Sequence, residues 1–322
     1  MLFFSYTTTC TLVFIDIAQK WPNIMKMWKK IDDSFTRHPY KIYKRRLSTK
    51  IRSIAVTVII LALLEHLLFL ANEAFNKYVD VKLKDIQVDK PIEYFLNQQF
   101  GFIYANLPFS VPLGLFNEIM NMNFTFAWNY MELFVTMISL GLSTRFHQIN
   151  KRIAKFRGKI VSEKIWISVH KDYVSLCELV EKIDFDLRYL ILLSNLNNVF
   201  FICFQLYHIF EKLPYTINVI YFWCSFLYLL GRTIITQFIA SEINSSSKYP
   251  IEIIKSIPPE GWCIEMQRIL DEARSQTIAL SGMKFFYLTR KTILTMITTI
   301  ITYELVLWQI TNTRKTINTH VD

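Results

Sequence analysis

The sequence predicts an all-α fold, a polytopic membrane helical bundle. Three observations carry this. Apolar residues make up 52% of the chain and charged residues only 19%, where soluble domains carry about 25% charge. The charges gather between long apolar runs rather than within them. The last run, Phe285 to Ile310, holds only Tyr303 and Glu304 as ionisable groups from Thr292 onward. At about 1.5 Å per residue it is long enough for the roughly 30 Å hydrocarbon core of a bilayer.

The segments follow in order. Residues 2–18 form a short first span with Asp16 near its end. The chain starts inside this run, so the sequence is expected to continue upstream. Residues 19–52 are rich in Lys and Arg against Asp32 and Asp33 alone, which makes the loop cytoplasmic by the positive-inside rule. Trp21, Ile24, Trp28 and Ile31 recur at helical spacing, and this part is expected to lie along the inner interface. Residues 53–75 form the second span, with Glu65-His66 in its middle. A charge inside a span costs about 2.5–3.5 kcal/mol on insertion scales, so these two are ligand-pocket or pocket-support candidates; the alternative is an interhelical hydrogen bond.

Residues 76–117 balance Lys against Asp and Glu, which fits the outside, and Leu107-Pro108-Phe109-Ser110-Val111-Pro112 is a proline-broken lead-in. Residues 118–143 form the third span. Trp128 and Glu132 stand four apart on one face with Asn129 beside them. An aromatic face beside planar polar groups suits a polyhydroxylated ligand. An interface tryptophan and a structural carboxylate are the equal alternative. Residues 144–188 are cytoplasmic on charge, and their apolar spacing predicts long helices projecting below the membrane.

Residues 189–210 and 215–240 are the fourth and fifth spans. Their connection is so short that they must be antiparallel neighbours. The fourth is unusually polar, with Asn198 and Tyr207 among its polar groups; Trp223 lies in the outer part of the fifth and Arg232 toward its inner end, within reach of the interface. Residues 241–284 are cytoplasmic by parity, although acids outnumber bases there. Residues 285–310 are the last span. Thr295, Thr298, Thr299, Thr302 and Gln309 fall on one side of it and Glu304 roughly opposite. That stripe is either helix–helix glue, with hydroxyls bonded to their own backbone, or the wall of a permeation path.

The reading is one transmembrane unit with six spans and an extracellular C-terminus. The net charge of +10 sits beside apolar spans, which excludes nucleic acid as the partner and names membrane lipid instead. The five cysteines show neither metal spacing nor a disulfide framework. No metal or cofactor is expected. No phosphate loop, nucleophile elbow or zinc motif is found, so the protein is not an enzyme.

Thr302-Tyr303 followed after five residues by Gln309 resembles the TYhhhhhQF signature of insect gustatory receptors, with Ile310 in place of the usual Phe. The stretch Ser281 to Lys291, the stretch Trp128-Asn129-Tyr130-Met131-Glu132-Leu133-Phe134, and Gly261-Trp262-Cys263 are similar to the sugar-receptor branch. The resemblance runs from about Trp21 to Gln309. It implies a seven-span ligand-gated ion channel, of which this chain lacks the first span. It also implies a plasma-membrane protein of sensory neurons, forming a homo- or hetero-tetramer with other gustatory receptor subunits. The last span of each subunit lines the pore. Thr302, Tyr303, Gln309 and Ile310 then form pore and gate, and Ile310 alters the apolar collar. A sugar ligand is expected among Trp128, Asn129, Glu132, Asn198, Tyr207 and Trp223. The alternatives are a G-protein-coupled chemoreceptor, a transporter and a non-conducting co-receptor subunit.

Overall fold

The structure, a computed structural model, describes residues 2–40, 44–83, 85, 89–209 and 213–319, with side chains described for those of them in 4–40 and 47–309. The apolar runs become long helices: α1 (Leu2–Phe35), α2 (Lys44–Leu83), then after the short α3 (Pro91–Gln99) and α4 (Gly101–Tyr104), α5 (Val111–Ile153), α6 (Glu163–His208) and α7 (Thr216–Lys255). The 12-residue α8 (Ile264–Ser275), a two-stranded hairpin of β1 (Ser281–Gly282) and β2 (Phe286–Tyr287), and the terminal α9 (Arg290–Thr319) complete the chain. Proline sets two of the starts: it stands in the first turn of α3 and of α5, where a missing N–H costs nothing. Among the described residues, four helices are long and apolar enough to cross a membrane: Leu47–Leu83, Glu163–His208, Thr216–Lys255 and Arg290–Gln309.

Much of the apolar core does not sit where the apolar runs are. It lies at the end of the bundle beyond them, where Phe35, Phe146, Ile149, Ile153, Trp166, Tyr173, Leu176 and Ile254 are all buried. Water must be excluded there, so burial follows hydrophobicity. Around the apolar runs the rule inverts. On α2, Val56, Ile60, Leu64 and Leu67 are exposed while His66 and Asn72 are buried. A helix in hydrocarbon gains nothing by hiding leucine, but must hide its polar groups.

Two expectations from sequence are corrected. The segment around Trp21–Ile31 does not form a separate interfacial helix, because α1 continues through Pro22 to Phe35. Cys10, Ile17, Ile24 and Ile31, seven residues apart, are buried, and α1 packs against α5 and α6. Trp28 lies so close to Gly141 that a Cβ there would stand 2.7 Å from Trp28 Cζ2. The apolar side that a surface helix would give to lipid is taken by protein.

The last helix does not begin at Phe285. Ser281 pairs with Tyr287 and Gly282 with Phe286 in the hairpin, and α9 starts only at Arg290. Met283 and Lys284 make the turn at φ 53° and 62°. A Cβ on Gly282 would come within 2.4 Å of Phe286 Cζ, so glycine is required where the ring crosses. The hairpin is tied to α6 by Asp184, whose carboxylate accepts from the Ser281 N–H and, at 2.9 Å, from the Ser281 hydroxyl.

The buried end is fastened by arginines that the loop charge count treats only as topology signals. Arg145 is buried and donates through Nε to Asp32 at 2.8 Å. Arg152 reaches Asp172 at 3.3 Å, and the Tyr40 hydroxyl donates to the same carboxylate at 2.6 Å. Burial and the adjacent Asp172 push the Tyr40 hydroxyl above its usual range, so it stays protonated and keeps donating. These contacts hold the last turns of α1 and α5 and the first turns of α6 as one block.

Candidate ligand site and terminal helix

At mid-height of the bundle α5, α6 and α7 meet in a cluster of charge. α5 contributes Trp128, Asn129 and Glu132, α6 contributes Asn198, and α7 contributes Tyr228 and Arg232. Glu132 and Arg232 are ion-paired at 2.8 Å with side chains 1% and 5% exposed. The Asn198 amide donates to the other Glu132 oxygen, and Arg232 Nη1 donates to Asn129 Oδ1. The Tyr228 hydroxyl donates to that same oxygen at 2.7 Å. The guanidinium lies 4.8 Å from the Trp128 ring centroid and 5.3 Å from that of Tyr228. Each charge alone would be costly at this depth, and their proximity makes each tolerable. Arg232 Nη2 and Asn198 Oδ1 are buried and make no hydrogen bond among the described residues.

Arg232 does not reach toward the interface, as its position along the sequence suggests. The Glu132 carboxylate and the Trp128 ring on α5, with Tyr228 on its own helix, draw it into the bundle. One signal for this was readable: Tyr228 and Arg232 stand four apart on the α7 face, matching Trp128 and Glu132 on α5. The depth-dependent cost of an unpaired Glu132 also demanded a cation.

The other candidates divide. Glu65 accepts from the Ser225 hydroxyl at 2.9 Å, and Gln205 donates to Ser225 Oγ at 3.3 Å, which joins α2, α6 and α7. His66 is not part of this network. It lines a separate apolar recess of about 190 Å³ between α2 and α5, shared with Asn129, Phe126 and Tyr130, and stacks on Phe69 at 6.1 Å. Tyr207 and Trp223 are exposed, at 51% and 42%, and take no part in the cluster. The structure therefore gathers Trp128, Asn129, Glu132 and Asn198, and adds Tyr228 and Arg232.

On α9 the threonine stripe is exposed. Each hydroxyl donates to the carbonyl one turn back: Thr295 to Lys291 at 3.1 Å, and Thr298, Thr299 and Thr302 at 2.9 Å. The opposite side packs on α6 and α7, with Ile300 against Ile202, Leu206, Phe226 and Leu229. Thr302, Tyr303 and Gln309 face away from the bundle and are exposed. Ile310 lies in the helix, but its side chain falls outside those described.

A family model described as trehalose receptor matches residues 1–319. The chain belongs to the trehalose receptor family. Among curated relatives, "Gustatory receptor for sugar taste 64a" of Drosophila melanogaster is 38% identical over 96% of this chain and 68% of its own length. "Gustatory receptor 5a for trehalose" of the same organism is 29% identical over 94% of this chain and 67% of its own length. This trehalose receptor family member thus spans about two thirds of the length of such relatives. The insect olfactory receptor OR5 from Machilis hrabei, solved alone and in complex with eugenol, superimposes with a TM-score of 0.58 at 11% identity, covering 96% of this chain and 79% of that one. At that identity the likeness concerns the fold: this family member has the fold of an insect olfactory receptor.

Proposed function

We propose that this chain is a sugar receptor of taste cells, acting as one subunit of a ligand-gated cation channel in the plasma membrane. The observation that carries this reading is the buried Glu132–Arg232 pair with its open valences at Arg232 Nη2 and Asn198 Oδ1, beside the Trp128 ring. Sugar hydroxyls are both donors and acceptors, and the ring offers a face to C–H groups. The Glu132–Arg232 pair itself is buried, so a sugar that engages both partners must part the helices that hold it. That coupling between entry and helix movement is what a gated receptor requires, because only differential affinity for the two arrangements drives a gate.

The rest of the reading extends this. Six spans place the C-terminus outside, and four subunits, alike or mixed, surround a pore. The exposed threonine side of α9 with Gln309 borders the pore, and parting of α5–α7 draws α9 outward through its contact with α6 and α7. Affinity is weak, since hydroxyls exchange water for protein at small net gain. No enzymatic step is involved.

The test is whole-cell recording with trehalose, glucose, sucrose and glycerol, alone and with other family subunits. Absence of sugar-evoked current in every combination would reject the proposal. So would an epitope after Asp322 that stains only permeabilised cells, which is the signature of a G-protein-coupled topology.

A further inference from the structure

A second site lies well away from the Glu132–Arg232 cluster. A cavity of about 700 Å³ opens where α6 passes the connection from α8 to β1, lined among others by Glu181, Asp184, Phe185, Arg188, Lys284 and Tyr287. Arg188 is the last charged residue of α6 before its uncharged run to His208. The cavity therefore sits at the border of the hydrocarbon. Exposed aromatic residues mark that level: Phe185, Tyr189 and, at 79%, Phe285.

No ion pair is closed at this mouth among the described residues. The Arg188 guanidinium rests 4.2 Å from the Phe185 centroid and 5.1 Å from that of Tyr189, and its Nε is buried without an acceptor. Lys284 and Glu181 make no ion pair among the described residues. Asp184 is occupied, because both its oxygens accept from Ser281. Arg188 and Lys284 lie within the field of Asp184 but form no ion pair among the described residues, and Glu181 is likewise left without one. Above them, Tyr189, Leu196, Phe200 and Phe204 continue the exposed side of α6 as an apolar track.

We propose that this cavity holds the phosphoethanolamine head of a membrane phospholipid. The phosphate sits on Arg188 and Lys284, the ammonium on Glu181, and the acyl chains run along the α6 track. A purely anionic head would leave Glu181 opposed to it, and a free anion would leave the aromatic and apolar track empty. The site rests on the membrane placement of α6 alone, so it stands or falls separately from sugar gating. Because it shares Asp184 and Lys284 with the hairpin that leads into α9, an occupied site braces the base of that helix.

The full chain is purified in detergent, incubated with dioleoyl phosphatidylethanolamine, phosphatidylcholine or phosphatidylglycerol, and read by native mass spectrometry. Phosphatidylethanolamine is retained preferentially. The pair Arg188→Gln with Lys284→Gln lowers its retention at least about tenfold, as loss of charged hydrogen bonds requires. Glu181→Gln abolishes the preference over phosphatidylglycerol while lipid is still retained. Equal retention in all variants overturns the proposal. Displacement by inorganic phosphate overturns it in favour of a free-anion site. A changed oligomer mass with unchanged lipid overturns it in favour of a subunit contact. On the unmutated chain, a photoactivatable phosphatidylethanolamine analogue cross-links to residues 180–189 or 275–287, and cross-links found only elsewhere overturn the proposal whether or not the variants fold.

Discussion

Removing Glu132 should cost the fold more than removing both members of its pair. In the native cluster Arg232 has one carboxylate at 2.8 Å, one amide oxygen from Asn129 and two aromatic rings, with a side chain 5% exposed. Glu132→Ala takes away the compensating charge and leaves the guanidinium held by a single neutral acceptor. Breaking a buried pair in this way costs about 3–5 kcal/mol, whereas replacing both partners by apolar groups of similar volume is often neutral. Glu132→Leu with Arg232→Met should therefore recover most of the loss, with a coupling energy of about 2–3 kcal/mol or more in the double-mutant cycle. Glu132→Gln should fall between, since it keeps one oxygen for Arg232 while its NH2 faces Asn198, whose amide must flip to accept from it. The assay is the unfolding midpoint of detergent-solubilised protein followed by fluorescence-detected size exclusion, with surface expression as a second reading. The double variant should be folded and insensitive to sugar. If Glu132→Ala and Arg232→Ala each cost less than about 1 kcal/mol, the pair is not as buried as described and the reasoning fails. If the double variant is as damaged as the sum of the singles, the two side chains do not interact.

Gly141→Ala should destabilise by about 1–3 kcal/mol through overpacking, because its Cβ meets Trp28 Cζ2 at 2.7 Å; Trp28→Phe in the same chain should restore part of the loss in thermal stability. Asp184→Asn should weaken the clamp on Ser281 by about 1.5–3 kcal/mol, seen as faster hydrogen exchange across residues 281–287. Unchanged exchange there would separate the hairpin from α6. Cysteines placed at Thr298 or Thr302 should react with aqueous thiol reagents in the assembled receptor, and one at the buried Ile293 should not. Reaction at Ile293 alone would put the wrong side of α9 toward water. Tyr40→Phe should cost about 1–3 kcal/mol of stability by leaving Asp172 with Arg152 as its remaining strong donor, measured by the same unfolding midpoint.

Much of the bundle was written in the order of the residues. The apolar runs after Arg52 and Arg188 and before Ser241 announce helices because their length and lack of charge leave few other ways to satisfy a backbone in hydrocarbon. The close spacing of α6 and α7 follows from their brief connection. The sugar-receptor resemblance was carried by local words such as Trp128 to Phe134 and Thr302-Tyr303, which need no fold to be read. Trp128 and Glu132 were placed on one face by helical period alone.

Periodicity says which residues share a face but not what stands opposite. Arg232 lay in the right helix, yet only the parallel packing of α5 and α7 at one register sets its guanidinium on Glu132 and Asn129. Tyr207 and Trp223 have the chemistry of sugar contacts and point to the outside, a matter of helix rotation that composition cannot encode. The hairpin before α9 was hidden because Phe286-Tyr287-Leu288 is apolar enough to read as span. Its strand state comes from pairing with Ser281-Gly282 and from Asp184 on a distant helix. Sequence thus determined the solvent each segment prefers and the face each side chain takes. Tertiary structure alone decided the partners, because a charge in a membrane is stable only beside another that the chain brings from about a hundred residues away.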